Sequence, residues 1–254
     1  MNPDATGRLV ILSGPSCVGK SPLYRALGRF HPDLCNRLRS LVLFNSRRPR
    51  PGERDGVDYH FRTRAQVEAL RTNSRYAVLQ VRADVQALDI QEVRELLRGG
   101  DALFEGNPFV GEALLTHERL AQFNKLSIFI SPLSREEILY LKAPERNISL
   151  RDFVTDVMRR KLLRRARRQK VELSARDLDD IETRASSAYR ELQEACHFQH
   201  VIPNCDGEDS DNWEAFYYLI GDARKTLSAL VSLLEGAIPP GVEKWEEGLL
   251  PLEP

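Results

Sequence analysis

The chain is predicted to adopt an α/β fold, in which helices cover a mainly parallel sheet. Short apolar runs that end in turn residues, such as residues 8–13 and 126–130, are typical of buried strands. Helical patterns alternate with these runs, and this alternation favours βα units on a parallel sheet. The chain has 254 residues, of which 42% are hydrophobic and 29% charged, so it is long enough to bury a core and too apolar to be disordered.

The strands are predicted from the apolar runs. They cover about residues 8–13, 41–44, 76–81, 102–105, 126–130 and 200–202. The segment of residues 47–61 is rich in arginine, proline and glycine, and we expect it to be irregular or a twisted hairpin.

The helices are predicted from the signals at their ends. Pro22 suits a first helical turn, because its missing N–H would be unpaired there in any case. Thr63 and Gln66 form a capping box, Ser134 is an N-cap, and Gly99 ends a helix. The predicted helices cover about residues 22–30, 64–70, 90–98, 135–142, 150–170, 175–196 and 213–234.

Residues 9–235 are predicted to form one domain between two less structured ends. Residues 1–8 are polar and are expected to be flexible. The tail of residues 236–254 carries several prolines and is expected to be weakly structured. The two long helices after residue 150 are expected to form an insertion or a lid.

The composition excludes several classes of protein. The 37 Lys and Arg residues balance the 37 Asp and Glu residues, so global basicity gives no argument for nucleic-acid binding. No apolar run approaches the ~18 residues of a membrane span, and the first residues lack the pattern of a secretory signal. The four cysteines show no CxxC pair and no metal-ligand spacing. We therefore expect no membrane partner, and a cytoplasmic location with reduced thiols.

The sequence GPSCVGKS, at residues 14–21, matches the pattern GxxxxGK[ST] of a phosphate-binding loop. Gly14 and Gly19 allow a tight turn that brings backbone N–H groups close to phosphate oxygens. Lys20 supplies a mobile cation for the outer phosphates, and the Ser21 hydroxyl is a ligand for Mg²⁺. The predicted phosphate-binding residues are Gly14, Pro15, Ser16, Cys17, Val18, Gly19, Lys20 and Ser21. The motif predicts that the chain binds a nucleoside triphosphate, but it does not choose among kinase, GTPase and motor.

A second phosphate-binding segment is predicted at residues 47–61, which read RRPRPGERDGVDYHF. Arg47 and Arg50 can direct their guanidinium donors at one phosphate group, and Tyr59 can donate its phenol to the same oxygens. A solvated basic loop with ordinary turn residues is the alternative interpretation.

The two motifs together resemble those of the guanylate kinase family. That family pairs GPSGVGKS with TTRxPRPGExDGxDYxF, and this chain has GPSCVGKS followed by SRRPRPGERDGVDYHF. Residues 128–137 are similar to the strand and Pro-Ser-Glu turn that precede the family's lid. Arg184, Glu191 and residues 201–204 are similar to its R…AxxE…VVxN ending. Residues 62–125 show little similarity.

The resemblance implies a P-loop kinase core with an acceptor-binding subdomain at about residues 45–100 and a helical lid at about residues 143–185. It implies transfer of the γ-phosphoryl group of Mg·ATP to a nucleoside monophosphate, with GMP as the first candidate. Residues 14–21 would then hold the phosphates of ATP and Mg²⁺, and Asn204 would lie near the donor nucleotide.

The resemblance also implies roles for single side chains. Arg47, Arg50 and Tyr59 would grip the phosphate of the acceptor, and Glu53 would belong to the acceptor-binding subdomain. Arg184 would reach from the lid side to the transferring phosphoryl group.

The chain departs from the family pattern at several positions. Leu43 stands where the family usually has a phosphate-binding serine, and Cys17 and Pro22 replace a glycine and a threonine. The family's Glu-led strand and GxxYG segment help to hold the guanine base and the phosphate, and they have no clear counterpart here. Gln80 and residues 84–91 occupy that region.

The identity of the acceptor is therefore open at the level of sequence. Glu105, at the end of the strand predicted at residues 102–105, is the nearest candidate acid for binding the metal or the acceptor. In the alternative interpretation, its carboxylate faces solvent and has no such role. A kinase for another phosphorylated acceptor is the first alternative function. A non-catalytic guanylate-kinase-like binding module is the second, although such modules tend to lose the loop lysine and Lys20 and Ser21 are intact here.

Cations crowd the predicted helix of residues 150–170. They are Arg159, Arg160, Lys161, Arg164, Arg165, Arg167, Arg168 and Lys170. Like charges one turn apart repel, so we expect an anionic partner, which in a lid would be the polyphosphate. The four central arginines are candidates, and the predicted catalytic residues are Lys20, Arg164, Arg168 and Arg184.

Two other interpretations of these cations stay open. In one, they belong to a solvated helix face paired with Asp177, Asp179, Asp180 and Glu182. In the other, residues 159–170 form an RNA- or phospholipid-binding patch, which keeps a nucleic-acid partner open as an alternative.

Overall fold

The structure, a computed structural model, describes residues 7–50 and 52–251. Its strands are β1 (Leu9–Ser13), β2 (Leu38–Ser40), β3 (Phe44–Asn45), β4 (His60–Phe61), β5 (Tyr76–Val81), β6 (Asp84–Asp89), β7 (Asp101–Gly106), β8 (Lys125–Ser131) and β9 (His200–Pro203). Its helices are α1 (Lys20–Phe30), α2 (Pro32–Arg37), α3 (Arg64–Ala69), α4 (Ile90–Leu97), α5 (Pro108–Thr116), α6 (Arg135–Lys142), α7 (Leu150–Gln169), α8 (Ala175–Gln193) and α9 (Gly221–Leu234). None of the helices in the described part of the chain combines the length and the apolar character that a membrane span requires.

The larger sheet has five strands in the order β2-β7-β1-β8-β9. β2 runs parallel to β7, and β8 runs parallel to β9. All residues of β1 are buried, as expected for an apolar strand in a sheet that is covered on both faces. These pairings and the surrounding helices confirm the predicted α/β fold.

The contacts within the chain form two compact units, and β1 and β8 contribute residues to both. The first unit comprises the described residues up to Ile11 and Arg37–Ser127, and the second comprises Leu12–Asn36 and residues 128–251. The predicted acceptor-binding segment, residues 45–100, lies in the first unit, and the predicted lid, residues 143–185, lies in the second. The division of residues 9–235 into core, acceptor-binding segment and lid stays a prediction.

The first unit contains a smaller sheet, with four strands in the order β4-β3-β6-β5. β5 and β6 form an antiparallel hairpin in which Tyr76 is opposite Asp89 and Val81 is opposite Asp84. One face of this sheet packs against α3. The buried residues of that contact are Val67, Val78, Val85 and Ala87.

The second unit contains the two long helices, α7 and α8, which pack against each other. Their buried faces carry apolar side chains one turn apart, including Val154 and Met158 in α7 and Ile181 and Ala185 in α8. Both predicted helices are confirmed, although a 3-10 turn, Glu194–His197, replaces the last residues predicted for the second.

The strand predicted at residues 41–44 is wrong in its boundaries. The chain leaves the larger sheet after β2 and enters the smaller sheet at β3, so that Leu41 and Leu43 are buried outside both strands. Leu41 N donates to Leu103 O at 2.8 Å, and His60 N donates to Leu43 O at 2.9 Å. The apolar run of residues 41–44 thus connects the two sheets. Apolar character alone does not show where the strand of the larger sheet ends and the strand of the smaller sheet begins.

The last helix was predicted to begin at residue 213, but it begins at Gly221. Asp211–Trp213 form a 3-10 turn, and Gly221 has a φ of 61°, outside the helical range. Asp206 caps the start of α9, because its Oδ2 accepts a hydrogen bond from Ala223 N at 2.9 Å. The main-chain O of Asp206 also accepts the indole N–H of Trp213 at 2.9 Å.

The described part of the tail, residues 236–251, is ordered against the second unit, so the prediction of weak structure is wrong there. Glu243 pairs with Val201 of β9 in an antiparallel bridge. The tail buries Trp245, Leu249 and Leu250. Prolines interrupt regular elements, but they do not prevent apolar side chains from being buried. Residues 252–254 lie outside the described residues.

The start of the chain is ordered earlier than predicted. Gly7 N donates to Leu97 O at 3.2 Å, and Arg8 forms an ion pair with Asp101 at 3.0 Å. The expectation of flexibility is therefore wrong for residues 7 and 8, and residues 1–6 lie outside the described residues.

The sequence analysis missed α2, α5 and β6. The start of α5 carried a signal, because Asn107 Oδ1 accepts from Phe109 N at 3.0 Å and Pro108 occupies the first turn. The turn before β6 carried none, since its residue with positive φ is Arg82 (φ 55°) and arginine rarely adopts that conformation.

Candidate active site

The loop of residues 14–21 requires glycine at two positions. A Cβ atom at Gly14 would lie 2.4 Å from Ile130 O, and one at Gly19 would lie 2.6 Å from Asn204 Nδ2. Gly19 also has a φ of 103°, which favours glycine. The two glycines therefore let the loop pass close to β8 and to the residue after β9.

Cys17 occupies the loop position at which the chain departs from the family pattern. Its φ of 67° is left-handed, a conformation that costs a non-glycine residue about 1 kcal/mol. Burial raises the pKa of its thiol to about 12. The thiol therefore stays protonated at neutral pH and contributes packing, not a nucleophile.

Lys20 and Ser21 begin α1 directly after the loop. Lys20 is 8% exposed, and its Nζ donates to Gly14 O at 2.7 Å and to Pro15 O at 2.9 Å. Ser21 is exposed, and the first turn of α1 carries no acidic side chain. The positive end of the helix dipole and the ammonium group thus act together at the loop, which suits an anion.

Asn204 connects β9 to this loop. It is buried, its N donates to Ser131 O at 2.7 Å, and its Nδ2 donates to Val18 O and Asp206 O, each at 2.8 Å. Its Oδ1 accepts from Asp206 N at 3.1 Å. The side chain therefore holds the loop in place, and a direct contact with the donor nucleotide stays a prediction.

In the first unit, the structure brings Arg47 and Glu53 together. Two parallel hydrogen bonds join them, from Arg47 Nη1 to Glu53 Oε2 at 2.7 Å and from Arg47 Nη2 to Glu53 Oε1 at 2.6 Å. Glu53 Oε2 also accepts from Arg50 N at 2.7 Å. The hydrogen bond from Arg47 lowers the pKa of Glu53 below its ordinary value, so the pair is charged at neutral pH.

Tyr59 lies beside this pair. The Arg47 guanidinium carbon is 5.0 Å from the centroid of the Tyr59 ring, and burial raises the pKa of the phenol. The phenol therefore stays a hydrogen-bond donor at neutral pH. Arg50 is exposed, Glu105 is half-buried in β7, and Pro51 of the same motif lies outside the described residues.

The cations of α7 find their partners within the chain. Two of these cations form ion pairs with acids of α8 that the sequence analysis had named. Arg159 Nε lies 2.7 Å from Glu182 Oε2, and Lys170 Nζ lies 2.5 Å from Asp177 Oδ1. On α8, Arg184 pairs with Asp180 at 2.8 Å. Pairing of part of the helix with α8 acids is thus confirmed.

A second set of acids, in the loop of residues 205–211, was missed. Arg165 forms an ion pair with Glu208, and Arg168 pairs with Asp211 at 2.9 Å. Asp209 lies 3.8 Å from Lys161 Nζ and 3.7 Å from Arg164 Nη1. This acidic loop, as we call residues 205–211, also contacts the phosphate-binding loop, because Glu208 N donates to Cys17 O at 3.3 Å. The run GEDSD was the signal available in the sequence.

Similarity to known proteins decides the family. A family model for guanylate kinase matches residues 6–101. A guanylate kinase from Synechococcus sp. (strain JA-3-3Ab) is 32% identical over 217 residues, which cover 85% of this chain and 84% of that protein. The chain belongs to the guanylate kinase family. A guanylate kinase from Rickettsia bellii (strain RML369-C) is 28% identical over 206 residues, with 80% of this chain and 89% of that protein covered.

A solved structure agrees with this family at the level of the fold. The crystal structure of guanylate kinase from Anaplasma phagocytophilum matches with a TM-score of 0.52 and 17% sequence identity, over 91% of this chain and 86% of that one. The match covers most of both units and confirms the P-loop kinase fold.

Proposed function

We propose that this chain is an ATP-dependent guanylate kinase, which transfers the γ-phosphoryl group of ATP to GMP. Its family is one of nucleoside monophosphate kinases, and the chain is a phosphotransferase. The observation that carries the proposal is the intact phosphate-binding loop, with Lys20 held over Gly14 and Pro15 at the start of α1. The alternative, a non-catalytic binding module of the guanylate kinase type, is disfavoured because such modules tend to lose the loop lysine.

On the donor side, residues 14–21 would hold the ATP phosphates through backbone N–H groups and the Lys20 ammonium. The Ser21 hydroxyl is exposed beside Lys20, and a hydroxyl oxygen suits Mg²⁺, which prefers oxygen ligands. When bound, Mg²⁺ would neutralise charge on the phosphates. Glu105 remains a further candidate for the metal or the acceptor.

On the acceptor side, Arg47, Arg50 and Tyr59 would hold the phosphate of GMP. Glu53 supports this role indirectly, since its carboxylate fixes the Arg47 guanidinium through two hydrogen bonds. Phosphoryl transfer requires mainly alignment and charge neutralisation from the protein, and the fixed position of the Arg47 guanidinium serves the alignment.

On the lid side, Arg164, Arg168 and Arg184 would complete the neutralisation of the transferring group. Arg164 is the most accessible of the three, with 70% of its side chain exposed and only a loose pairing to Asp209. Before they could contact that group, Arg184 would have to break its ion pair with Asp180, and Arg168 its ion pair with Asp211. A cytoplasmic location and the use of Mg²⁺ stay predictions.

An assay of ADP release from Mg·ATP tests the proposed function. We expect release to depend on GMP and to be much slower with AMP, CMP or UMP. If ADP is released with a different monophosphate, that monophosphate is the acceptor in place of GMP. If no ADP is released with any monophosphate, the result favours a non-catalytic binding module.

A further inference from the structure

The phosphate-binding loop is supported on one side by the segment that follows β9. Asn204 Nδ2 donates to Val18 O at 2.8 Å. The Trp213 ring is also close to the loop, because its Cζ2 would lie 3.1 Å from a Cβ atom at Gly19. These contacts involve two consecutive loop residues directly before Lys20, so the placement of this segment determines the placement of the loop.

Asp206 joins the two side chains that make these contacts. Its main-chain N donates to Asn204 Oδ1 at 3.1 Å. Its main-chain O accepts from Asn204 Nδ2 at 2.8 Å and from Trp213 Nε1 at 2.9 Å. A shift of the main chain at Asp206 would therefore move both side chains, and through them the phosphate-binding loop.

The carboxylate of Asp206 fixes that main chain. Its Oδ1 accepts from Ser210 Oγ at 2.8 Å and from Asn212 Nδ2 at 2.9 Å, and its Oδ2 accepts from Ala223 N at 2.9 Å. Asn212 Nδ2 also lies 3.0 Å from Oδ2. The two oxygens thus connect the segment after β9 with the 3-10 turn and with the start of α9.

The carboxylate of Asp206 acts in its ionised form, as an acceptor only. Burial alone would raise the pKa of Asp206, but hydrogen bonds from Asn212, Ala223 and Ser210 lower it below its ordinary value. An amide of the same shape would have to direct an N–H group at the N–H group of Asn212 or of Ala223. Such a mismatch leaves polar groups without partners, which is unfavourable.

We propose that Asp206 is a positioning residue for ATP, which acts on the phosphate-binding loop through Asn204 and Trp213. This inference rests on the proposed function, in which residues 14–21 hold the phosphates of ATP. Backbone N–H groups bind a phosphate well only when they point at it together, so a small displacement of the loop weakens several hydrogen bonds at once. The acceptor phosphate is assigned to residues of the first unit, so Asp206 should affect ATP binding and not GMP binding.

Equilibrium binding of a non-hydrolysable Mg·ATP analogue and, separately, of GMP tests the proposal, measured by calorimetry on the full chain. Asp206→Asn keeps the size of the side chain but introduces the mismatched N–H group. We expect the Kd for the ATP analogue to rise about 3–30-fold, and the Kd for GMP to stay within about twofold of the wild-type value.

Asp222→Asn is the matched control. Asp222 also lies in the first turn of α9, where it pairs with the exposed Lys225 at 3.0 Å, so its replacement removes the same charge from the same helix. An asparagine oxygen there can still accept from Cys205 N. The Kd for the ATP analogue should therefore stay within about twofold of the wild-type value.

An exchange of two side chains separates positioning from a general loss of stability. Asn212→Asp alone places two carboxylates together and should also weaken ATP binding. In Asp206→Asn combined with Asn212→Asp, the amide and the carboxylate change places. The hydrogen bond between them is restored in the opposite direction, and the amide oxygen can still accept from Ala223 N. We expect this double variant to bring the Kd for the ATP analogue back within about threefold of the wild-type value.

Three results would overturn the inference. They are an unchanged Kd for the ATP analogue in Asp206→Asn, an equal loss for the analogue and GMP, and a double variant that recovers no affinity. If Asp206→Asn does not fold, Trp213→Phe repeats the test, because it removes the indole N–H that donates to Asp206 O but keeps an aromatic ring. An unchanged Kd for the ATP analogue in that variant would overturn the inference equally.

ADP release with GMP separates this inference from the proposed function. A wild-type chain whose affinity for the ATP analogue depends on Asp206, but which releases no ADP, contradicts the proposed function alone. A wild-type chain that releases ADP, but whose Asp206→Asn variant keeps the wild-type KM for ATP, contradicts this inference alone. A chain that binds no ATP contradicts both.

Discussion

Lys20 is the residue on which the proposed transfer depends most directly. Its ammonium group lies over the loop carbonyls of Gly14 and Pro15, where the outer phosphates would bind. Lys20→Met keeps an apolar stem but removes the charge, so we expect turnover to fall about 10²–10³-fold or more while the chain stays folded. ADP release measures the loss, and circular dichroism checks the fold.

The control for this prediction is Lys225→Met. Lys225 is an exposed lysine of α9 that pairs with Asp222, so its loss should leave turnover near the wild-type level. Turnover that survives in Lys20→Met would remove the phosphate-binding loop from the mechanism.

The Arg47–Glu53 pair predicts how stability depends on pH. Hydrogen bonding from Arg47 lowers the pKa of Glu53 below its ordinary value of 4.5. Because the folded state lowers this pKa, the pair stabilises the fold above that value, and the contribution is lost as the pH falls through the folded-state pKa. We expect Glu53→Gln to lower the free energy of unfolding by about 1–3 kcal/mol at neutral pH and by less near pH ~3.

Urea unfolding at the two pH values measures this difference. The Arg62–Asp55 pair offers a comparison, because it is much more exposed, and Asp55→Asn should change stability at neutral pH much less than Glu53→Gln does. An equal loss for Glu53→Gln at both pH values would contradict the assignment of the lowered pKa to this pair.

The tail is the element whose structure differs most from expectation. Trp245 is 2% exposed, and its Nε1 donates to Glu243 Oε2 at 2.7 Å. We expect Trp245→Ala to lower the free energy of unfolding by about 3–5 kcal/mol. Tyr217→Ala removes an aromatic ring that is 93% exposed, and it should change the same quantity by less than about 0.5 kcal/mol. Denaturant titrations compare the two, and similar small effects would exclude the tail from the folded unit.

The contact between α7 and the acidic loop also carries a prediction. Glu208 pairs with Arg165 and Asp209 with Arg164, two of the four central α7 arginines that the sequence analysis names as candidates for the polyphosphate, so ATP and these carboxylates would compete for the two arginines. We expect Glu208→Gln to lower the Kd for ATP about 3–10-fold. Calorimetry measures this Kd.

Glu182→Gln is the matched control for that measurement. It also removes one negative charge that pairs with α7, but the partner of that charge is Arg159, which faces α8 and also pairs with Asp156. The Kd for ATP should then stay near the wild-type value. Weaker ATP binding in Glu208→Gln would mean that the carboxylate supports the nucleotide, contrary to competition.

The whole molecule should be stabilised by both substrates independently. A ligand that binds only the folded state raises the free energy of unfolding by about 2.7 kcal/mol at 100 times its Kd. We expect Mg·ATP and GMP each to raise the melting temperature, and we expect a chelator to reduce the ATP effect, because in the proposed function Mg²⁺ would bind with the triphosphate. A GMP effect that vanishes with the chelator would contradict the assignment of the metal to the ATP side.

The sequence predicts well the features that depend on neighbours along the chain. The phosphate-binding loop needs two glycines, a lysine and a helix start within eight residues, and all of them are visible in GPSCVGKS. The capping boxes at Thr63 and Ser134 likewise lie within one turn, and the structure contains both. Such signals act through the local backbone, so the rest of the fold hardly changes them.

Other features require the folded chain, because their partners are far apart in the sequence. The helix start at Gly221 depends on Asp206, and the burial of Trp245 depends on packing that proline content does not reveal. The burial of Gln86 likewise depends on the pairing of β6 with β5 and β3, which places Leu79 and Asn45 opposite it.

By itself, the sequence therefore determined the family, the α/β class and the anion-binding loop. Only the tertiary structure decided which cations of α7 are already paired with acids and which apolar side chains of the tail are buried. The physical reason is range: turns and caps are governed within a few residues, whereas burial and charge pairing depend on contacts between distant parts of the chain.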